Sequence, residues 1–302
     1  MSTAVAAAPR TFSPPRRWNR WAAVLAPAVL FYIAFFVGPV LTMLLRSFSA
    51  GHQEAFPQAS ITLSQYGRVV SDEYYWRVLL RTFVIGLEVT LISIVIGYLL
   101  AYTIVRVIRR RGLRRLVYML ILAPLFTSAI VRAFGWLVIL GRDGVVNQVL
   151  IRSGLTQHPV PLIFNTTGIV IGLTHILTPF MVLTVASVLQ NIDPALEVAS
   201  RDLGASPLRT FLHITLPLSV PGVVAGSLIV FTLTVSAYVA PSVLGGGRVV
   251  MLPSLVFDQY MTQFNWNFGA ALAVFLLVPT FVLVWLVTRV FRPRYAERQL
   301  AQ

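Results

Sequence analysis

The chain contains no cysteine and no lysine. Without cysteine there are no disulfides and no thiolate metal sites. Without lysine there is no Walker A loop, because that motif uses a lysine to reach the nucleotide phosphates. Any ATP that serves this protein is therefore bound by another subunit, and the chain itself is expected to carry no cofactor. Charge is also scarce. It makes up 11% of the residues, against about a quarter in soluble domains. The four histidines, His52, His158, His175 and His213, form no HExxH pattern, and no GxSxG occurs. A metal site and a membrane hydrolase both lack a motif to rest on, so the chain is not read as an enzyme.

What is abundant is apolar. Hydrophobic residues make up 57% of the 302 positions, and an all-α polytopic membrane protein follows. The net charge of +14 would suit a nucleic-acid binder, but its distribution excludes one. All 24 basic residues are arginine, and they cluster beside apolar runs. The partner this implies is a lipid bilayer.

Six apolar runs are long enough to span a bilayer, at about 21–45, 79–105, 116–140, 162–189, 219–243 and 268–290. Polar tails flank them at 1–20 and 291–302. The first run is too long for a secretion signal and lacks a cleavage site after a short core. Six crossings put both termini on one side. That side holds sixteen arginines: four before the first run, six from Arg106 to Arg115, Arg201 and Arg209, and four from Arg289 onward. The opposite loops hold Arg68, Arg77, Arg142, Arg152 and Arg248. The expectation is cytoplasmic termini in the bacterial inner membrane. An amphipathic helix is expected near Val145–Ile151 in the second outer loop. Gly168/Gly172 and Gly222/Gly226 are small-xxx-small pairs that permit close helix approach.

One polar stretch, at 191–218, interrupts the second half. Asp193-Pro194 reads as an N-cap followed by proline at the first helical position. Glu197 and Arg201 then share a helical face. Gly204 stands where a helix end wants a left-handed residue. Ser206-Pro207 repeats the cap and starts a second short helix, which Leu216-Pro217 is expected to end. Two capped helices around a glycine corner make a rigid knuckle at the membrane face.

This stretch resembles the cytoplasmic EAA loop of binding-protein-dependent ABC importer permeases. Gly204, Ile214, Leu216 and Pro217 match that pattern's spacing, while Val198, Ala199 and Ser200 occupy its Glu-Ala-Ala positions. Glu197 lies one residue early. The stretches 131–150 and 236–247, with Asn265-Trp266, resemble the spermidine/putrescine branch, which also takes opines and other small amine-bearing solutes. The resemblance implies the six-helix type I importer fold. It also implies three kinds of partner: ATPase subunits, a second homologous permease in a heterodimer, and an extracytoplasmic binding protein. The coupling residues it implies are Asp193, Glu197, Ala199, Arg201, Asp202, Gly204, Ala205, Ser206 and Pro207. The alternative is a secondary active transporter, which would need coupling residues near mid-membrane and would leave the knuckle unexplained.

Candidates for the translocation path are Glu88, Arg132, Trp136 and Tyr238. Lipid-facing or interfacial packing is the alternative for the aromatics. Glu88 and Arg132 are the charged residues well inside the runs, where a lone charge is expensive. Counting 1.5 Å per residue along two straight antiparallel helices puts both about 12–13 Å below the outer face. The expectation is a buried ion pair between them.

Overall fold

A computed structural model describes residues 18–49 and 61–291. The expected terminal tails fall largely outside them, as do Arg10, Arg16, Arg17, Arg292, Arg294, Arg298 and His52. All regular elements among the described residues are helices: α1 Trp18–Tyr32, α2 Gly38–Ser47, α3 Ser64–Ser71, α4 Glu73–Tyr102, α5 Arg111–Leu122, α6 Ala129–Leu140, α7 Val145–Arg152, α8 Thr166–Asn191, α9 Pro194–Asp202, α10 Pro207–Thr210, α11 Leu216–Ser236, α12 Val239–Leu244, α13 Leu252–Met261 and α14 Trp266–Phe291. In a bilayer only such internally bonded backbone can cross.

Five stretches are long and apolar enough to cross alone: Val24–Ser47, Glu73–Val107, Thr166–Asn191, Pro207–Ser236 and Trp266–Phe291. The expected third crossing at 116–140 is not one helix. Arg111–Phe126 and Ala129–Arg152 meet at 104°. The cause is local. Pro124 sits in a 3-10 turn, Ala123–Phe126, where it supplies no N–H and crowds the preceding turn. Thr127 is then extended.

α4, α8 and α11 form the centre. Lipid is as apolar as leucine, so close packing rather than water exclusion holds such helices together. Glycines make the approach possible. A Cβ on Gly222 would lie 2.9 Å from the Val188 side chain and 3.0 Å from the Thr184 carbonyl. One on Gly226 would collide with Thr184 and Met181, and one on Gly97 would lie 2.7 Å from Met181. The second expected pair divides its work: Gly172 faces Leu244, whereas Gly168 lies against the Leu162 carbonyl at the α8 entry. Hydroxyls in this apolar setting bond back to their own helix, as Thr90 Oγ1 does to the Gly86 carbonyl at 2.7 Å. Tyr98 Oη and Ser219 Oγ, 2.8 Å apart, join α4 to α11.

The end of the bundle remote from residues 191–218 is stapled by polar links. Asn147 on α7, which forms where the amphipathic helix is expected, accepts from Val160 N at 2.8 Å and donates to the Gly141 and Val160 carbonyls. Leu252 N donates to Thr82 Oγ1 at 2.9 Å, which ties the start of α13 to α4. The fifth crossing ends earlier than 243. α11 stops at Ser236, and after Ala237 and Tyr238 the short α12 begins.

Candidate functional site

The knuckle forms as its residues dictate. Asp193 is extended, and its carboxylate accepts from Ala195 N at 2.9 Å; Pro194 opens α9. The helix closes in a Schellman arrangement. Gly204 N donates to the Arg201 carbonyl at 2.8 Å, and Ala205 N donates to the Ser200 carbonyl at 3.1 Å. Gly204 itself sits at φ +88, in the left-handed region where a side chain is strained. Nothing lies within 4 Å of a Cβ placed there, so the corner is open outward. Ser206 Oγ then accepts from Arg209 N at 3.3 Å and caps α10, with Pro207 first. Ser200 and Thr210 hydroxyls, 3.1 Å apart, join the two short helices.

Leu216-Pro217 does not end the second helix. Pro207–Ser236 runs continuously into the membrane, through a π turn at Phe211–Thr215 where Leu216 N reaches the Phe211 carbonyl. The wide turn inserts one residue just before Pro217. The proline therefore falls in the first turn of a reset α-helix, where its missing N–H costs little.

Glu197 is the anchor. It is 8% exposed. Its Oε1 accepts from Thr215 Oγ1 at 3.0 Å and lies 3.0 Å from Arg106 Nε. The Arg106 N–H is not aimed at that oxygen as a hydrogen bond, so this contact is Coulombic. Arg106 also donates from Nη2 to the Ile192 carbonyl at 3.0 Å. One carboxylate thus ties α9 to the Val107 end of the α4 crossing and to the π turn. Val198 and Ala199, at positions the sequence pattern assigns to Glu-Ala, are exposed, as are Arg201, Asp202 and Pro207. Sequence reasoning missed Arg106, which it counted only for topology. The sequence carried no signal for it, since Arg106 falls just beyond the apolar run at 79–105, beside five other arginines. It also missed the apolar tip. Leu203, 89% exposed beside Gly204, and Leu208, 68% exposed, are the most exposed large apolar side chains of the loop.

The path candidates do not converge. Glu88 is exposed on α4, one turn from Ile92. Arg132 does not pair with it. The ion pairs between described residues are Arg77–Glu73 and Arg106–Glu197. The straight-helix depth count fails at the 104° break, which sits four residues before Arg132. Arg132 keeps Nε and Nη1 buried with no hydrogen-bond partner among the described residues. Trp136 donates from Nε1 to His175 Nδ1 at 3.1 Å, and both line an apolar groove of about 490 Å³ between α4, α5 and α8. Tyr238 sits at the α11 break, stacked on Phe257 at 4.7 Å between centroids. It lines a separate groove of about 660 Å³ against α13 and α14.

Known proteins place this arrangement. Residues 93–296 match the family of binding-protein-dependent transport system inner membrane components. The spermidine/putrescine transport system permease protein PotB of Escherichia coli (strain K12) is 31% identical over 246 residues, 82% of this chain and 88% of that protein. PotB of Salmonella typhimurium (strain SL1344) is 29% identical, over 91% of this chain and 96% of that protein. The inner membrane ABC transporter permease protein YdcU of E. coli (strain K12) is 30% identical, over 86% of this chain and 85% of its own. In fold, a chain from a bacterial alginate ABC transporter in complex with an alginate pentasaccharide-bound periplasmic protein superposes with a TM-score of 0.76 at 19% identity, covering 92% of this chain and 95% of that one. The match over two thirds of the sequence, and the fold that agrees with it, make this chain a member of the binding-protein-dependent transport system inner membrane component family.

Proposed function

We propose that this permease carries a small amine-bearing solute of the polyamine class across the bacterial inner membrane. It would do so as one of two related permease subunits, powered by ATPase subunits that dock on the 193–210 knuckle and loaded by an extracytoplasmic binding protein. The sequence relatives named for spermidine and putrescine support the cargo class. The alginate transporter shares only the fold and says nothing of cargo. The knuckle and both termini lie on the cytoplasmic side, where the arginines concentrate.

The observation that carries the coupling role is the knuckle's construction. Its tip is apolar, open and held by a left-handed glycine, while its root is locked to two crossings through Glu197. A push on such a rigid piece moves α4 and α11 together instead of dissipating in a loop. The coupling residues are Asp193, Ser206 and Pro207 as caps, Gly204 and Ala205 as the corner, Glu197 as the anchor, and Ala199, Arg201, Asp202, Leu203 and Leu208 as the docking surface. Two measurements test the proposal. A Leu203→Cys permease, in a chain with no native cysteine, should crosslink to a cysteine in the groove of the cognate ATPase; no crosslink from any position at the tip sinks the docking. The cognate binding protein should bind spermidine or putrescine in calorimetry. Binding of neutral sugars and no amines overturns the cargo class.

A further inference from the structure

α5 has no buried residue, although it begins a membrane crossing. Its charge is one-sided. Arg111, Arg114 and Arg115, with Arg109 and Arg110 just before the helix, are all exposed, and no carboxylate pairs with any of them among the described residues. Positive-inside topology accounts for the presence of arginines but not for the way three of them are arranged. Arg111, Arg114 and Arg115 head a groove of about 610 Å³, and its walls continue along the same helix face as Met119, Leu122 and Phe126. The spacing of 111, 115, 119, 122 and 126 keeps all of these on one stripe. The groove is therefore cationic at one end and apolar at the other, over the fifteen steps of chain from Arg111 to Phe126, which rise about 22 Å. Phe126, at its apolar end, is 90% exposed.

We propose that this groove binds one anionic phospholipid, with the phosphate on the Arg111–Arg114–Arg115 fork and an acyl chain along Met119, Leu122 and Phe126. The depth fits. The α4 crossing ends at Val107, so the arginines stand at the level of the lipid headgroups, where phosphodiesters are the abundant anions. The chemistry also fits. Guanidinium forks take phosphate oxygens bidentately, and basic pockets at the edge of membrane helices suit anionic headgroups. A bound lipid would cover the apolar face that α5 leaves bare beside the 104° break, and would brace the half-helix that carries the Trp136 groove.

The test uses the intact transporter, permease with its ATPase, in mild detergent. It is titrated with phosphatidylglycerol or phosphatidylcholine, and bound lipid is counted by native mass spectrometry. Wild type should hold one phosphatidylglycerol at least tenfold more tightly than phosphatidylcholine. Each arginine is worth about fivefold at a headgroup surface, so the triple variant Arg111→Gln, Arg114→Gln, Arg115→Gln should lose on the order of a hundredfold. The triple lysine variant keeps the charge and the topology signal, and should retain most of the preference. Equal binding of the two lipids overturns the proposal, as does a triple glutamine variant with undiminished preference. So does full competition by glycerol phosphate, which would mean that the site reads a soluble anion. An Arg115→Cys chain that crosslinks to another subunit while excluding lipid would assign the face to a protein and also overturn it.

Discussion

Glu197 shows how much one residue position can matter. In the sequence it sits one place early for the family pattern, with an apolar residue where the glutamate belongs. In the fold it faces inward, and Thr215 and Arg106 close on it. Both side chains of that pair are nearly inaccessible, at 12% and 10% exposure. Removing one partner of a buried pair leaves the other uncompensated, typically at about 3 kcal/mol or more. Glu197→Ala and Arg106→Ala are therefore each expected to lower the melting temperature of the purified permease and to cut transport-coupled ATPase activity severalfold. Glu197→Gln, which can still accept from Thr215, should be the mildest of the three. Unchanged melting and coupling in both alanine variants would mean that the anchor is ornamental. The other charged pair expected from sequence behaves oppositely. Glu88 and Arg132 do not meet, so Glu88→Ala and Arg132→Ala should be additive in transport and stability to within about 0.5 kcal/mol. A coupling clearly above that, with rescue by the charge swap, would reinstate the pair.

At the scale of elements, two departures from straight helices set the geometry. The π turn at Phe211–Thr215 fixes how the knuckle is phased against α11. Deleting Leu212 would remove the inserted residue and rotate everything before it by about 100°. The expected outcome is a chain that still inserts, by protease protection, but no longer retains its ATPase on purification. Retention of the ATPase would show that the phase is irrelevant. Gly204 is the second case. Because a Cβ there meets no atom, Gly204→Val costs only backbone strain, about 1–2 kcal/mol, confined to the corner. The melting temperature should fall by only a few degrees while ATP hydrolysis uncouples from transport. Gly204→Asn, which tolerates the left-handed region, should couple better than Gly204→Val. Gly222→Val is the contrast. It presses on the Thr184 carbonyl, which cannot step aside, so assembly of α11 on α8 should weaken by about 1–3 kcal/mol and expression should fall.

For the whole molecule, the absence of cysteine makes sidedness directly measurable. In the proposed orientation, with the knuckle cytoplasmic and α7 on the opposite face, Ser153→Cys should react with a membrane-impermeant maleimide in intact cells. Leu203→Cys should react only after permeabilisation. Labelling in the reverse order would invert the orientation that the arginine distribution implies. The same asymmetry bears on assembly. Val24–Ser47 is almost wholly exposed in the single chain, and the grooves beside Trp136 and Tyr238 share no residue. These two grooves therefore do not join among the described residues, which is what the proposed two-permease assembly expects if a second subunit supplies facing walls.

Composition and periodicity decided the class, five of the crossings and the knuckle's caps. Runs of about 20 apolar residues, Asp-Pro and Ser-Pro caps and a C-terminal glycine each act within a few residues of chain, so no distant partner can overrule them. Asp193, Ser206 and Gly204 sit where local rules put them. What lay beyond the sequence needed contacts between residues far apart in the chain or a change of helix axis. The partner of Glu197 is 91 positions away, and nothing in either segment marks the meeting. The depth count for Glu88 and Arg132 assumed a straight third crossing. Pro124 and extended Thr127 turn that crossing through 104°, so equal distances along the chain no longer mean equal depths. Leu216-Pro217 looked like a terminus because proline forbids an ordinary helical interior, and only the π turn lets the helix run on. Tertiary packing chose the pairs and the phase, because each depends on which surfaces are already buried when the helices meet, whereas the bend is local to Pro124 and Thr127 but its angle is not written in them.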